Sequence, residues 1–297
     1  MIEGVLLKGY GGFYYVYAED RVWECSLRGR FRIKDQDFLP GDRVRILPEG
    51  NNKARIEGAE PRLNSLTRPS IANVDQALLV FALTSPKPDL NLLDRLLIQV
   101  TCSEIEPLII FTKLDKYLTE APPDDSLAKS SIPDIYRRIG YTVFEVSNKT
   151  GIGITELRKC LEEKISVLAG PSGAGKSSLF NALSDGKQLK TGEISQKSQR
   201  GRHTTRHVEL MVCAGGLVAD TPGFSSLFLP KMKREDLATY FPEFDEHRNH
   251  CRFSSCLHDK EPDCAIKAAQ ENGEISGTRY DHYRIFLQEV IAAERRY

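Results

Sequence analysis

The chain has 297 residues, enough for two or three domains that each bury a core. Hydrophobic residues make up 40% of it and charged residues 28%, with 41 Lys plus Arg against 41 Asp plus Glu. This balance excludes a strongly basic or acidic chain, so that any contact with nucleic acid has to be local.

The sequence contains no signal for a membrane. Residues 1–16 lack the basic start and continuous apolar stretch of a secretory signal, and the longest apolar run, Ala77–Leu83, is too short to span a bilayer. We therefore expect a cytoplasmic protein without a membrane partner.

Residues 1–63 have the pattern of a small β-barrel. Short runs rich in Val, Tyr and Phe predict strands at Gly4–Leu7, Phe13–Tyr17, Val22–Leu27, Arg43–Leu47 and Ala54–Ile56. Five strands in about 60 residues favour an OB-type barrel. An unspecialised β-subdomain is the alternative.

Residues 64–228 alternate between apolar runs and helical patterns. Strands are predicted at Ala77–Leu83, Pro107–Phe111, Thr142–Val146, Ile165–Ala169, Val208–Val212 and Leu217–Ala219. The clearest helical pattern is Leu90–Cys102, and Thr119–Ser131 predicts a loop. This alternation predicts an α/β domain whose largely parallel sheet has helices on both faces.

The strand pattern stops after Phe228. Helical patterns follow at Lys231–Tyr240, Cys264–Glu271 and Thr278–Arg296. Residues 229–297 therefore predict a small helical domain.

One segment has the pattern G-x-x-x-x-G-K-[ST] of a phosphate-binding loop. It consists of Gly170, Pro171, Ser172, Gly173, Ala174, Gly175, Lys176 and Ser177. Its glycines let successive backbone N–H groups face phosphates, and the helix that begins there adds a partial positive charge. We expect Lys176 to contact the β- and γ-phosphates, Ser177 to bind Mg²⁺, and Ser178 to belong to the same site.

A second segment selects the base. Thr112, Lys113, Leu114 and Asp115 end a predicted strand. The carboxylate of Asp115 can accept from guanine N1–H and the 2-amino group, which adenine lacks, and such a site discriminates by roughly 10⁴. Asparagine is usual where Thr112 stands. The companion segment is Ser147, Asn148 and Lys149, whose backbone N–H would meet guanine O6.

Two further segments have the pattern of switches that sense the γ-phosphate. Asp220 and Gly223 form a D-x-x-G element, in which the aspartate holds Mg²⁺ through water and the glycine N–H meets the phosphate. The run of residues 201–205 offers either Thr204 or Thr205 as a Mg²⁺ ligand.

Many GTPases have a glutamine directly after the D-x-x-G element, where it orients the attacking water, but this chain does not. Phe224 occupies that position and cannot hydrogen-bond water, so His203 in the first switch is the best candidate. Contact with a phosphate, or the cap of a loop, is the alternative for His203.

A cysteine cluster near the end of the chain predicts a structural metal site. Cys251, Cys256, His258 and Cys264 provide three thiolates and one imidazole, a set that suits tetrahedral Zn²⁺ with no open position. His247 and His250 are rival histidines.

The order of these motifs identifies a family. The guanine-reading segment precedes the phosphate-binding loop, the reverse of ordinary small GTPases, and a circular permutation preserves the site in three dimensions. With a β-barrel before and a C-x₄-C-x-H-x₅-C cluster after, the chain closely resembles the circularly permuted RsgA GTPases, also called YjeQ or YloQ, over essentially all 297 residues.

The resemblance implies what composition does not. It selects His258 as the zinc ligand and points to His203 in catalysis. It also implies binding to the 30S ribosomal subunit and its 16S rRNA during late maturation, with subunit-stimulated hydrolysis of GTP to GDP. We expect a monomer with no DNA partner.

Two basic clusters could grip RNA phosphates with salt-sensitive affinity. One consists of Arg28, Arg30, Arg32 and Lys34 beside the barrel, and the other covers Lys187–Arg206. A solvated surface is the alternative for the first cluster.

Two other functions stay open, a P-loop ATPase or kinase and an RNA-binding scaffold whose nucleotide site is structural. Asp115 argues against the first. Because the D-x-x-G element lies shortly before the zinc cluster, we also expect the zinc unit to move between the GTP and GDP states.

Overall fold

A computed structural model of the chain describes residues 1–27, 38–67, 69–120, 131–184, 208–220 and 228–295. Within these ranges, no helix is both long and apolar enough to cross a membrane.

The amino-terminal strands close into a five-stranded barrel. They are β1 (Ile2–Tyr10), β2 (Phe13–Ala18), β3 (Arg21–Leu27), β4 (Arg43–Gly50) and β5 (Lys53–Ala59). The strand order is β1-β2-β3-β5-β4, and β4 pairs with β1 to close the barrel. Buried and less buried residues alternate along β5, as expected for a strand with one face in a core. The predicted OB-type barrel is confirmed.

The central part of the chain forms a six-stranded sheet with helices and an additional hairpin. The hairpin is β6 (Ser65–Thr67) and β7 (Ser70–Ala72). The sheet strands are β8 (Gln76–Ala82), β9 (Glu106–Thr112), β10 (Thr142–Glu145), β11 (Ile165–Ala169), β12 (Leu210–Cys213) and β13 (Gly216–Asp220). The helices are α1 (Leu90–Cys102), α2 (Leu114–Glu120), α3 (Ile132–Ile139), α4 (Ile154–Leu161) and α5 (Lys176–Leu183).

The sheet has the order β10-β9-β8-β11-β13-β12, with β12 antiparallel at one edge. Every residue of β8 and β11 is buried, which is typical of a parallel strand covered on both faces. Side chains of α1 and α3 belong to the core on one face, and those of α4 and α5 belong to the core on the other. The predicted α/β architecture is confirmed.

The carboxy-terminal unit, residues 228–295, consists of turns and helices in the described structure. Short 3₁₀ helices at Leu237–Tyr240, Pro242–Phe244 and Arg248–His250 precede α6 (Ala265–Glu271) and α7 (Gly277–Glu294). Aromatic rings form its core, with Tyr283 packed edge-on against Phe241 at 5.2 Å and against Phe244 at 4.9 Å between ring centroids. The predicted apolar stripe of the last helix is confirmed.

Two local predictions were wrong, and one element was missed. The loop predicted from Thr119 begins too early, because α2 continues to Glu120 and the Thr119 hydroxyl donates to main-chain carbonyls of that helix. The helix predicted at Lys231–Tyr240 is only one 3₁₀ turn at its end, where Leu237 packs into the aromatic core, and Pro242 favours the extended Phe241 that ends this turn. The β6–β7 hairpin has only three residues per strand and was not predicted.

Candidate nucleotide-binding site and metal centre

Four predicted site segments lie at one edge of the sheet, which we call the nucleotide edge. Thr112 is the last residue of β9 and Asp220 the last of β13, while Ser147 and Gly170 come shortly after β10 and β11. Because these strands are parallel, with Ala82 opposite Thr112 and Leu168 opposite Asp220, their carboxyl ends meet. Ligands of open α/β sheets bind at such an edge.

The phosphate-binding loop connects β11 to α5 and depends on its glycines. Gly170, Gly173 and Gly175 have φ angles of +136°, +77° and +93°. A Cβ atom at Gly170 would lie 2.1 Å from the carbonyl oxygen of Val80 on β8, so no other residue fits there. The ammonium of Lys176 lies across the loop and donates to the carbonyls of Gly170 (2.8 Å) and Pro171 (2.9 Å).

Ser177 and Ser178 lie in the first turn of α5, whereas Ser172 and Ala174 lie in the loop that precedes it. Ala174 is buried, while Ser172 and Ser178 are exposed and Ser177 is half-buried.

Thr112 and Lys113 fasten the guanine-reading segment to the phosphate-binding loop. The buried hydroxyl of Thr112 lies 2.5 Å from the Ala174 carbonyl oxygen, to which it donates. Lys113 has a left-handed φ of +62°, and its ammonium donates to the carbonyls of Gly173 (2.9 Å) and Ser85. The two segments therefore form one surface.

Asp115 and Ser147 join the guanine-reading segment to its companion. The buried Ser147 hydroxyl donates to Asp115 Oδ1 at 2.8 Å and accepts from the backbone N–H of Thr150 at 3.2 Å. The backbone N–H of Leu114 donates to the Val146 carbonyl at 3.1 Å. This arrangement fixes the carboxylate of Asp115 at the nucleotide edge. Lys149 is exposed at the end of the companion segment.

Several predicted residues lie outside the described ranges. They are His203, Thr204, Thr205, Gly223 and Phe224 of the switches, and the basic clusters Arg28–Lys34 and Lys187–Arg206. Of the switch residues, Asp220 lies within the described ranges as the last residue of β13, where it is opposite Leu168 of β11.

The four predicted metal ligands converge in the carboxy-terminal unit. The ligand atoms of Cys251, Cys256, His258 and Cys264 all lie within 4.8 Å of one another. Cys251 Sγ lies 3.4 Å from His258 Nδ1 and 3.9 Å from Cys264 Sγ. Zinc bonds of about 2.3 Å to sulfur and about 2.0 Å to nitrogen would place neighbouring tetrahedral ligands roughly 3.5–3.8 Å apart. The residues therefore fit a tetrahedral ion.

The metal-ligand loop is held by α7 and by the half-buried carboxylate of Glu261. The hydroxyl of Tyr280 donates to the His258 carbonyl and that of Tyr283 to the Leu257 carbonyl, both at 2.8 Å. Burial acts to raise the pKa of Glu261. Its carboxylate also accepts hydrogen bonds from backbone N–H groups, and these outweigh burial, so the pKa lies below its usual value.

The electrostatics of the ligands also suit a cation. Burial lowers the pKa of His258, which favours the neutral imidazole that binds metals. Burial raises the pKa of Cys256 to about 12, so a metal ion has to displace the thiol proton when it binds. The rival His247 instead has its Nε2 atom 3.5 Å from a carboxylate oxygen of Glu274.

The sequence analysis missed a buried ionic network between the sheet domain and the carboxy-terminal unit. We call it the α1 joint, and it consists of Asp94 on α1, Tyr136 on α3, Glu243, and Arg279 and His282 on α7. Asp94 Oδ1 accepts from Arg279 at 2.5 Å and from the Tyr136 hydroxyl at 2.8 Å, and Asp94 Oδ2 lies 2.6 Å from His282 Nδ1. Arg279 also donates to both carboxylate oxygens of Glu243.

The α1 joint is a compensated buried charge group. Arg279 is 2% exposed and Asp94 is 1% exposed. Burial lowers the pKa of Arg279, but the carboxylates of Asp94 and Glu243 outweigh burial and raise that pKa well above its usual value. The only sequence signal was that Arg279 and His282 lie at helical spacing from the apolar stripe that contains Tyr283 and Phe286.

Comparisons with known proteins agree with this architecture. The family model of the RsgA GTPase matches residues 59–230, and that of the RsgA N-terminal domain matches residues 3–56. The chain is 52% identical to a "Small ribosomal subunit biogenesis GTPase RsgA" from Moorella thermoacetica, with 99% of each chain covered. It is 47% identical to the protein of the same name from Geobacillus kaustophilus, with both chains fully covered.

Solved structures give the same result. The circularly permuted GTPase YloQ is 38% identical with a TM-score of 0.79, over 99% of this chain and 96% of that one. YjeQ from Thermotoga maritima is 35% identical with a TM-score of 0.80, over 98% of each chain. This chain therefore belongs to the RsgA family of circularly permuted GTPases, and it is a GTP hydrolase.

Proposed function

We propose that this chain binds the small ribosomal subunit through the 16S rRNA and hydrolyses GTP under stimulation by that subunit, late in its maturation. The relatives are named for small-subunit biogenesis and match over their full lengths, which supports this role and a cytoplasmic location. The observation that carries the proposal is the joined guanine-reading and phosphate-binding surface in a chain that also has an OB-type barrel. Such barrels commonly bind oligonucleotides.

The predicted site residues contact three parts of the nucleotide complex in this proposal, namely the base, the phosphates and Mg²⁺. Asp115 accepts from the guanine base, and the companion segment donates a backbone N–H to O6. Lys176 and the N–H groups of its loop hold the phosphates. Mg²⁺ neutralises phosphate charge when bound, and Ser177, Asp220 and either Thr204 or Thr205 would hold it. Ser177 lies at the start of α5, which follows β11, and β11 pairs with the strand that ends at Asp220, which supports this set.

His203 is the proposed water-orienting residue. Phe224 has no group that can hydrogen-bond water, whereas an imidazole can accept a proton from water or hold it in line with the γ-phosphate.

The proposed metal is one structural Zn²⁺ per chain. Three thiolates and an imidazole fill a tetrahedral shell and leave no position for chemistry. The ion would therefore hold the fold of the carboxy-terminal unit rather than take part in hydrolysis.

We also propose that the nucleotide state reaches the carboxy-terminal unit. Gly223 lies shortly before Phe228, whose carbonyl accepts from Gln99 Nε2 on α1 at 2.7 Å. Helix α1 carries Asp94 of the α1 joint as well. A change in the second switch can therefore act on α1 and on the attached unit together.

The test is a GTPase assay with no ribosome, with purified small subunits and with large subunits. We expect stimulation by small subunits alone, and His203→Ala to keep GTP binding but lose most of that stimulation. His250→Ala, an exposed histidine of the carboxy-terminal unit, is the matched control. Equal turnover under all three conditions would favour the RNA-binding scaffold, and displacement of bound GDP by ATP as readily as by GTP would favour an ATPase or kinase.

A further inference from the structure

The side chain of Asn148 has no role in the site described so far, in which only its backbone belongs to the companion segment. Its amide nitrogen lies beside the phosphate-binding loop, 3.7 Å from the position that a Cβ atom of Gly175 would take. The hydroxyl oxygen of Thr112 lies 3.4 Å from the same position. A carboxamide from the loop after β10 and a hydroxyl from the end of β9 therefore flank the same point of the phosphate-binding loop.

The carboxamide of Asn148 is incompletely satisfied. Its Oδ1 atom is buried and has no hydrogen-bond partner among the described residues. A buried polar atom without a partner costs about 1–3 kcal/mol, so such atoms are uncommon away from functional sites. The amide nitrogen is the end of the group that lies beside Gly175, so the carboxamide presents its N–H donors at the phosphate-binding loop.

Thr112 cannot provide an amide donor at this point. Its hydroxyl is already directed to the Ala174 carbonyl, and a second carbonyl, that of Phe81, lies 3.4 Å away. Asparagine, which is usual at this position, would have an N–H₂ group to spare. In this chain the loop after β10 places the carboxamide of Asn148 beside Gly175, next to the Thr112 hydroxyl.

Guanine has an acceptor that such an amide can use. Asp115 reads N1–H and the 2-amino group on one edge of the base, and the opposite edge presents the acceptors N7 and O6. N7 belongs to the ring that is bonded to the ribose, so it is on the side of the base nearer to the phosphates. The position of the Asn148 amide beside Gly175 therefore suits N7 rather than O6.

We propose that the side-chain N–H₂ of Asn148 donates to guanine N7 and so takes the place of the amide that Thr112 lacks. This inference rests on the proposed guanine site at Asp115. The contact orients the base and adds affinity, while the choice of guanine over adenine stays with Asp115, because adenine also has an acceptor at N7.

The test compares the binding of GDP and 7-deaza-GDP, in which a C–H replaces N7. We expect the wild type to bind 7-deaza-GDP about five- to tenfold more weakly, the effect of one hydrogen bond. Asn148→Ala should weaken GDP binding by the same factor and bind both nucleotides equally. Thr112→Asn added to Asn148→Ala should restore the preference for GDP. Glu156→Gln, an exposed change on α4, is the control.

Two outcomes would overturn the inference. If Asn148→Ala weakens both nucleotides by the same factor and keeps the preference for GDP, the side chain only supports the loop. If it changes neither affinity, the side chain has no role in binding. The underlying guanine site is tested separately by Asp115→Asn, which should shift the preference from GDP to xanthosine diphosphate. Failure of that shift would reject the guanine site itself, whatever Asn148 does.

Discussion

At the nucleotide edge, neighbouring segments are joined by a few separate hydrogen bonds, such as those from Thr112 to Ala174 and from Lys113 to Gly173, and many of the acceptors are main-chain carbonyls. The carboxy-terminal unit is held differently, by four converging metal ligands and by the multiply bonded, buried α1 joint. A main-chain acceptor is present whatever the sequence, whereas a buried charge needs a partner of opposite charge. Loss of one side chain should therefore be tolerated at the nucleotide edge and be severe in the carboxy-terminal unit.

The largest effect is expected from loss of the metal. Cys264→Ser should remove about one zinc per chain and unfold residues 228–295, since binding of a structural zinc contributes on the order of 10 kcal/mol to folding. Metal analysis and amide hydrogen exchange measure the two effects, with Cys160→Ser on α4 as control. Metal loss with unchanged exchange protection would show that the aromatic core is sufficient without the ion.

The α1 joint should give the next largest effect. Arg279→Met leaves Asp94 and Glu243 buried without their cation, and such a loss costs about 3–5 kcal/mol of unfolding free energy. Arg284→Met removes a pair with Asp259 in which the arginine side chain is 50% exposed, and should cost about 1 kcal/mol or less. Urea titration at neutral pH compares the two variants. Equal costs would contradict the distinction between a buried network and a surface pair.

At the nucleotide edge a smaller effect is expected. Thr112→Val leaves the Ala174 carbonyl without its donor, at a cost of about 1–3 kcal/mol, and should weaken GDP binding roughly tenfold. Thr112→Ser keeps the hydroxyl and should bind GDP nearly as the wild type does. Titration of fluorescent GDP measures both. Similar weakening in the serine variant would mean that the methyl group, not the hydrogen bond, positions the segment.

The smallest effect is expected where the barrel meets the sheet domain. Lys8 on β1 lies 2.7 Å from the carboxylate of Glu209, and both side chains are substantially exposed. Lys8→Met should change the unfolding free energy by at most about 1 kcal/mol, because solvent screens such a pair. Thermal unfolding at low and high salt measures it. A loss that persists at high salt would indicate that the lysine stem contributes packing.

Much of the site could be predicted because its motifs are local. The glycine pattern at 170–175 fixes backbone conformation within a few residues, and Asp115 needs only the end of a strand to face a base. The metal ligands are also close together in sequence. By contrast, the helix predicted at 231–240 was wrong because the packing of Leu237 and Phe241 into the aromatic core overrides the local pattern.

The sequence by itself determined the barrel, the parallel sheet, the permuted order of the nucleotide motifs and the cysteine ligands of the metal, because each depends on periodicity or short spacing. Only the tertiary structure decided that Asp94 and Arg279, 185 positions apart, share one buried pair, and that Asn148 lies beside Gly175 and Thr112. These contacts join residues far apart in the chain. Their energies depend on burial and on distance, which no local pattern encodes.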